Sequence, residues 1–168
     1  METAWYLVYC KPRQEALAAS RLRAQDYRIY LPRLKRRVRR AGRIRELEEA
    51  LFPRYLFAAP SHEDQSIAPI RSTVGVTSLV RFGEQYPYID AGIISLLRGR
   101  EDPATGCHHL PADLPQPGQR VVITQGPLEG LEGIFETLSG ETRVFILLDW
   151  LGKQTRARIN LEDIRRIA

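Results

Sequence analysis

A proline-rich stretch late in the chain limits what the polypeptide can fold into. Residues 101–118, EDPATGCHHLPADLPQPG, contain four prolines, few large apolar residues and no hydrophobic periodicity, a composition typical of an extended connector. Because the chain has 168 residues, one ordinary domain fits before this stretch and one very small domain fits after it. We predict a first domain over 1–100, a linker over 101–116 and a second domain over 117–168.

Charge follows the same division. Residues 1–100 hold 18 Lys/Arg and 10 Asp/Glu, a net charge of +8. Residues 101–168 hold 7 and 10, a net charge of −3, which together with the first value gives the +5 of the whole chain. A cationic first domain favours association with a polyanion such as nucleic acid.

Membrane, secreted and enzyme classes find little support in the sequence. Apolar runs such as VFILL at 144–148 are all much shorter than a membrane helix, and two cysteines cannot form a disulfide framework. Cys10 lies in an apolar run without a neighbouring histidine. Residues 107–109, Cys-His-His, are adjacent in the chain, and adjacent side chains rarely bind one metal ion. We therefore expect a cytoplasmic protein that is not an enzyme and has no metal, no other cofactor and no membrane contact.

Hydrophobic patterning in the first domain predicts a mixed α+β fold. Segments rich in apolar, aromatic and β-branched residues predict strands, at 5–10, 27–34, 51–60 and 75–82. Segments rich in helix-forming residues predict helices, at 14–25, 62–71 and 91–100. In the first of these helices we expect Ala16, Ala19 and Leu22 to face the core. Irregular alternation of strands and helices is typical of a ferredoxin-like α+β sandwich.

A strongly basic segment lies within this domain at 33–45. It contains eight Lys/Arg and no acidic residue, a charge density that favours a solvated hairpin or loop. Ala41–Gly42 is the expected hairpin tip. Many charge runs only keep a surface soluble, but this density favours contact with nucleic-acid phosphates. The pattern does not distinguish DNA from RNA.

Two patterns compete in the second domain. Short strands with glycine turns predict a small SH3-like β-barrel, at 119–126, 128–138, 142–152 and 155–161. Apolar residues also recur at helical spacing over 128–138 and 144–151, so an α-helical hairpin in an autoinhibited state is the alternative. Gly130 and Gly133 together disfavour the helix by about 2 kcal/mol, whereas burial of large side chains against a partner surface would favour it. The sequence alone leaves both states open.

Motifs in both domains resemble the NusG family of transcription factors. In the first domain the matching strings are WYLVYCKPRQE near the start, LFPRYLF at 51–57 and GVTSLVRFG at 75–83. In the second domain, PGQRVVITQGPLEGLEGIF at 117–135 resembles the KOW motif of the family's carboxy-terminal barrel. The YCK, LFP-YLF and VRFG strings are most similar to the RfaH branch, whose members are specialised antiterminators. The resemblance implies a ferredoxin-like NusG-type amino-terminal domain followed by a KOW domain.

The resemblance implies an aromatic and aliphatic surface that binds the clamp helices of RNA polymerase. Aromatic side chains at the centre of a surface are common binding anchors, and strand alternation would place Tyr55 and Phe57 on one face. The positions that match the family's polymerase contacts are Tyr9, Phe52, Pro53, Tyr55, Phe57 and Phe82.

Contact with the non-template DNA strand is implied as well. Lysine and arginine bind phosphates, and arginine can also recognise a guanine edge through two hydrogen bonds. Candidate DNA-contacting residues, the last five of them from the basic segment, are Lys11, Gln14, Arg21, Arg23, Lys35, Arg36, Arg37, Arg39 and Arg40.

Further implied contacts involve the second domain. A salt bridge between Glu49 and Arg143 would hold the closed, autoinhibited form, and Trp150 and Leu151 would bind a small-subunit ribosomal protein after release. The resemblance thus implies a transcription elongation and antitermination factor that suppresses pausing and couples transcription to translation, and we expect a monomer. Two rival functions are a general NusG factor without sequence-specific recruitment and a KOW-type ribosome- or RNA-binding protein.

Overall fold

The structure, a computed structural model, contains two compact units, Met1–Leu110 and Pro111–Ala168. It describes residues 3–109, 120–123, 132–134 and 164–166. Residues 101–109, which the sequence predicts as linker, belong to the first unit and form turns and a short strand. The first unit therefore extends past the domain end predicted at residue 100.

Strands dominate the first unit. Its elements in chain order are β1 (Trp5–Cys10), α1 (Glu15–Arg23), β2 (Tyr27–Tyr30), β3 (Arg33–Arg40), β4 (Arg43–Ala50), β5 (Tyr55–Pro60), a 3-10 helix (Ala68–Ser72), β6 (Val76–Leu79), β7 (Tyr88–Ile89), α2 (Ala91–Gly99) and β8 (His108–His109). The strands predicted at 5–10 and 75–82 and the helices predicted at 14–25 and 91–100 are confirmed, most with shorter bounds.

An antiparallel sheet in the order β2-β5-β1-β6 forms the centre of the first unit, and β7 also pairs with β1. Successive residues of a strand face opposite sides of a sheet, and both faces of this sheet carry buried residues. One face packs with residues of α1 and the 3-10 helix in a cluster formed by Val8, Cys10, Ala18, Ala19, Leu22, Tyr27, Ile29, Leu56, Ala58, Ile70, Val76 and Leu79. The other face carries Trp5, Leu7, Tyr30 and Phe57, which are also buried.

Two predicted strands are shorter than their hydrophobic runs. The strand predicted at 27–34 ends at Tyr30, because Pro32 has no N–H to donate to a ladder, and β3 begins directly after it. The strand predicted at 51–60 begins only at Tyr55. The residue before it, Arg54, has a φ of 72°, which is left-handed backbone that cannot continue a strand.

The helix predictions were wrong in two places. Only the 3-10 helix Ala68–Ser72 forms, at the end of the predicted helix at 62–71, because Pro69 has no N–H to continue a helix begun at residue 62. In α1, Ala16 is exposed rather than buried. The buried residues of α1 are Ala18, Ala19 and Leu22.

The basic segment forms a β-hairpin, as predicted. β3 and β4 pair antiparallel along their whole length, from Arg33 opposite Ala50 to Arg40 opposite Arg43. Ala41 and Gly42 make the two-residue turn with φ values of 50° and 75°, the positive pair that tight hairpins require. β8 adds to β3 in parallel at its first residues, which gives a second sheet in the order β4-β3-β8.

The described residues of the second unit are all in strands. They are β9 (Arg120–Ile123), β10 (Glu132–Ile134) and β11 (Ile164–Arg166), which pair antiparallel in the order β10-β9-β11. The helical alternative over 128–138 does not hold at Glu132–Ile134 in this structure. β11 lies beyond the last strand predicted from the sequence.

Candidate functional site

Two tyrosines form the centre of a half-buried surface on the first unit. Tyr9 on β1 and Tyr55 on β5 are opposite each other, with ring centroids 5.0 Å apart and ring planes tilted by 40°. Burial raises the pKa of Tyr55, so its hydroxyl stays protonated at neutral pH. Phe52 and Pro53, just before β5, are half-buried too. We call Tyr9, Phe52, Pro53 and Tyr55 the aromatic surface.

Arg54 lies inside the aromatic surface and was missed by the sequence analysis. Its guanidinium carbon is 4.2 Å from the centroid of the Tyr9 ring, and its Nε donates to the Cys10 carbonyl at 3.0 Å. Its backbone N–H donates to a Glu15 carboxylate oxygen at 2.9 Å. These contacts fix the left-handed backbone of Arg54 and hold Tyr9 in place. An arginine between two aromatic positions gives no sequence signal for such a conformation.

Phe57 is in the core, which corrects its prediction as a surface anchor. It shares a sheet face with Tyr55 as alternation requires, but it is fully buried. Its ring stacks on Tyr30 at 6.0 Å between centroids and meets the edge of Phe52 at 6.2 Å. Phe57 therefore supports the aromatic surface from beneath.

Phe82 lies away from the aromatic surface. It is 44% exposed and forms an isolated bridge with Gln85. β6 ends at Leu79, three residues before Phe82, and no ring contact joins Phe82 to the aromatic surface in the described part of the chain. The structure thus places four of the six predicted polymerase contacts on the aromatic surface, with Phe57 buried against Phe52 and Phe82 outside that surface.

Residues from the end of α2 to β8 cover the face that contains Phe57. The Arg98 guanidinium lies 4.9 Å from the Tyr30 ring centroid and 5.5 Å from that of Trp5. The Tyr30 hydroxyl donates to Glu101 Oε1 at 2.5 Å and lies 3.1 Å from His108 Nε2. Burial, followed by the hydrogen bond to Glu101, raises the pKa of Tyr30. Part of the predicted linker is therefore a structural lid on the core.

We expect acid to destabilise the first unit through His108. Burial lowers the pKa of His108 in the folded chain, so the folded chain binds fewer protons than the unfolded chain below the ordinary histidine pKa of about 6.5. This contribution to stability is fully present above that pH and is lost as the pH falls through the lowered value. Urea denaturation of the parent chain and of His108→Gln between about pH 5 and pH 7.5 measures it.

The His108→Gln variant should show a flatter dependence of unfolding free energy on pH than the parent. Groups distant from residue 108 titrate equally in both chains, so the difference between the two profiles comes from His108 and the groups that it contacts. Parallel profiles would contradict a lowered pKa at His108.

The candidate DNA contacts of α1 lie at its two ends. Lys11 and Gln14 precede the helix, whereas Arg21 and Arg23 are in its last turn, about 10 Å further along the helix axis. Lys11, Arg21 and Arg23 are exposed and Gln14 is half-buried. All four residues thus lie in α1 or just before it, but they do not form one cluster.

Charges on the β3–β4 hairpin are separated along its length. We call residues 33–36 and 46–50 the hairpin base and residues 37–45 the hairpin tip. The base holds three Lys/Arg and three Glu, which sum to zero. Three ion pairs join them: Arg33–Glu48 at 2.6 Å, Lys35–Glu46 at 3.2 Å and Arg36–Glu49 at 2.9 Å. Two of the predicted DNA contacts, Lys35 and Arg36, are therefore already paired within the hairpin.

The hairpin tip carries five arginines and no acidic residue. Arg37, Arg40, Arg43 and Arg45 are exposed, and none of them forms an ion pair with a described residue. Ile44, between two of these arginines, is 69% exposed. The predicted DNA set omits Arg43 and Arg45, which the hairpin register places at the same end as Arg40.

The predicted contacts of the second unit fall mostly outside the described residues. Arg143, Trp150 and Leu151 all lie there, so the Glu49–Arg143 salt bridge and the ribosomal contact stay predictions. Glu49 itself pairs with Arg36 within the hairpin.

Chemical sites of other kinds find no support in the described part of the chain. No group of His, Cys, Asp and Glu there could hold a metal ion, and no helix there is long and apolar enough to cross a membrane. Burial raises the pKa of the Cys10 thiol to about 12, so Cys10 is protonated at neutral pH and a poor nucleophile.

Comparison with known proteins gives a family match and a similar solved structure. A family model described as "Transcription termination factor nusG" matches residues 3–97, which include the aromatic surface and the hairpin. A solved structure titled "Domain interaction in Thermotoga maritima NusG" is similar at 17% identity and a TM-score of 0.47, with 99% of this chain and 98% of that chain covered. Because the family model spans more than half of the sequence, the chain belongs to the NusG family of transcription factors.

Proposed function

We propose that this chain is a transcription elongation factor that binds the clamp helices of RNA polymerase through its aromatic surface. The observation that carries the proposal is the tilted Tyr9–Tyr55 ring pair, half-exposed on a rigid sheet within the segment that matches the family. Such a surface offers apolar area together with hydroxyl groups, the combination found at binding hot spots. Phe82 would contact the partner at a separate point.

The rigidity of this surface supports its use in binding. Tyr9 is held between Tyr55 and Arg54, and Phe52 rests against the buried ring of Phe57. Side chains that are already fixed lose little conformational entropy when they bind. A partner helix would therefore meet a preformed surface.

We expect Tyr55→Ala to weaken binding to RNA polymerase by about 10- to 100-fold, the usual loss when a central aromatic anchor is removed. Binding of the purified chain to core polymerase can be measured by fluorescence anisotropy. Tyr88→Ala, which truncates an exposed tyrosine on β7 outside the aromatic surface, is the matched control and should change affinity less than about threefold. Equal affinities of parent and Tyr55→Ala, with unchanged circular dichroism, would contradict the proposal.

The proposed DNA contact has two parts. Lys11, Gln14, Arg21 and Arg23 would contact the non-template strand around α1, and the hairpin would add arginines. The net charge of +8 over residues 1–100 supports binding to a polyanion.

For the whole chain we propose a ferredoxin-like first domain and a KOW barrel as the second. The all-antiparallel order β2-β5-β1-β6 supports the first assignment, and the antiparallel order β10-β9-β11 supports the second. In this scheme the barrel binds a small-subunit ribosomal protein through Trp150 and Leu151, which would couple transcription to translation.

Suppression of pausing and termination is the specialised form of this function. A clamp-bound factor changes polymerase behaviour only if it binds the elongating state more tightly than the paused one. In vitro transcription from templates with and without a candidate recruitment element separates the specialised factor from a general one. Recruitment to one element supports antitermination, and equal recruitment to random templates supports a general NusG factor.

A further inference from the structure

We propose that the hairpin tip, residues 37–45, is an arm that binds the major groove of double-stranded DNA. The inference rests on the proposed DNA contact, and it names a partner form and a set of residues that differ from the non-template strand and α1. Arg37, Arg40, Arg43 and Arg45 bind phosphates and base edges, and Ile44 makes an apolar contact within the groove.

Separation of charge along the hairpin is the first argument. A solubilising face needs no particular order of charges, yet here each cation of the base has a carboxylate and the exposed tip arginines have none among the described residues. Five positive charges within nine residues repel one another, which disfavours the tip in isolation. An anionic ligand would remove that repulsion, since each neutralised phosphate also releases a counterion.

The choice of arginine over lysine is the second argument. The only lysine of the basic segment, Lys35, is in the base, and all five cations of the tip are arginines. Lysine would serve equally well for solubility. Arginine is the residue that forms two parallel hydrogen bonds to phosphate or to guanine O6 and N7.

Dimensions favour the major groove. Paired strands lie about 4.8 Å apart, so a two-stranded ribbon with its side chains is about 10 Å wide. That width fits the major groove of about 12 Å but not the minor groove of about 6 Å. From Arg37 to Arg40 the strand advances about 10 Å, which is comparable with the major-groove depth of about 8.5 Å.

Ile44 supports the same groove. It is the most exposed large apolar side chain of the described residues, at 69%, and strand alternation places it on the ribbon face that also carries Arg37. Packing does not explain it, because it contacts no core. The only apolar group on the edges of base pairs is the thymine methyl, which lies in the major groove.

A charge-matched pair of variants tests the arm. Arg40→Gln/Arg43→Gln removes two charges from the tip, and Arg33→Gln/Lys35→Gln removes two from the base. Binding of the intact chain to a duplex of about two helical turns can be measured by anisotropy. We expect the affinity of the tip variant to fall at least about 10-fold. The slope of the logarithm of its binding constant against the logarithm of the salt concentration should become shallower by up to about 2. The base variant should lose less than about threefold. Equal losses would show that only net charge matters and would overturn the proposal.

A second measurement tests the groove. Ile44→Ala should weaken binding to an alternating dA-dT duplex by about 2- to 5-fold and should not weaken binding to the matching dA-dU duplex, which lacks the methyl group. Equal losses on both duplexes, displacement of the chain by the minor-groove ligand netropsin, or tighter binding to an RNA duplex would each overturn the assignment. Binding to core polymerase without DNA is unaffected by these variants, so failure here is distinguishable from failure at the aromatic surface.

Discussion

Replacing Phe57 with alanine is expected to lower the free energy of unfolding of the first unit by about 3–5 kcal/mol. Phe57 is the largest fully buried side chain in the described part of the chain, and its ring contacts both Tyr30 and Phe52. The substitution removes buried apolar area and leaves a cavity that rigid neighbours fill only in part. Urea denaturation followed by far-ultraviolet circular dichroism measures the change in the intact chain.

Phe82→Ala is the matched control, because Phe82 is 44% exposed. It should cost less than about 1.5 kcal/mol. A loss at Phe57 no larger than the loss at Phe82 would mean that Phe57 lies at the surface, as the family resemblance first implied. The comparison therefore separates a polymerase anchor from a core residue without the polymerase.

Leu34→Ala is expected to destabilise the first unit by about 2–5 kcal/mol. Leu34 is fully buried at the start of β3, where β3 lies between β4 and β8. Its removal leaves a cavity at the junction of the hairpin with the rest of the unit. Hydrogen exchange should accordingly become faster at the amides of β3 and β8, which pair at Leu34 and His108.

Ile44→Ala on the same hairpin is the control and should change stability by no more than about 0.5 kcal/mol, because an exposed side chain forms no cavity when shortened. Together the two variants distinguish the anchored base from the exposed tip. If Leu34→Ala were equally harmless, the hairpin base would not be packed as the structure shows.

The hairpin shows how far the sequence could predict this protein. Its existence and its turn at Ala41–Gly42 follow from charge density and local turn preference. The neutral charge of the hairpin base could not be predicted in this way. Glu46, Glu48 and Glu49 lie outside the basic segment, and only the strand register brings them beside its cations.

The aromatic positions show a second limit. Alternation correctly placed Tyr55 and Phe57 on one face, but it says nothing about what covers that face. Covering residues come from the end of α2 and from residues 101–109, which composition alone describes as a connector. Arg54 was missed for a related reason, since its left-handed backbone depends on contacts from β1 and α1.

Two copies of this chain would meet an obstacle if they approached along β3. β8 occupies that strand's edge at Leu34 and Lys35, and four of the five residues from 36 to 40 are arginines. An unoccupied strand edge is a template for intermolecular sheet formation, which natural proteins prevent with a covering segment or with charge. Both devices occur here on one strand, so the arginines that would attract DNA also act as gatekeepers against aggregation.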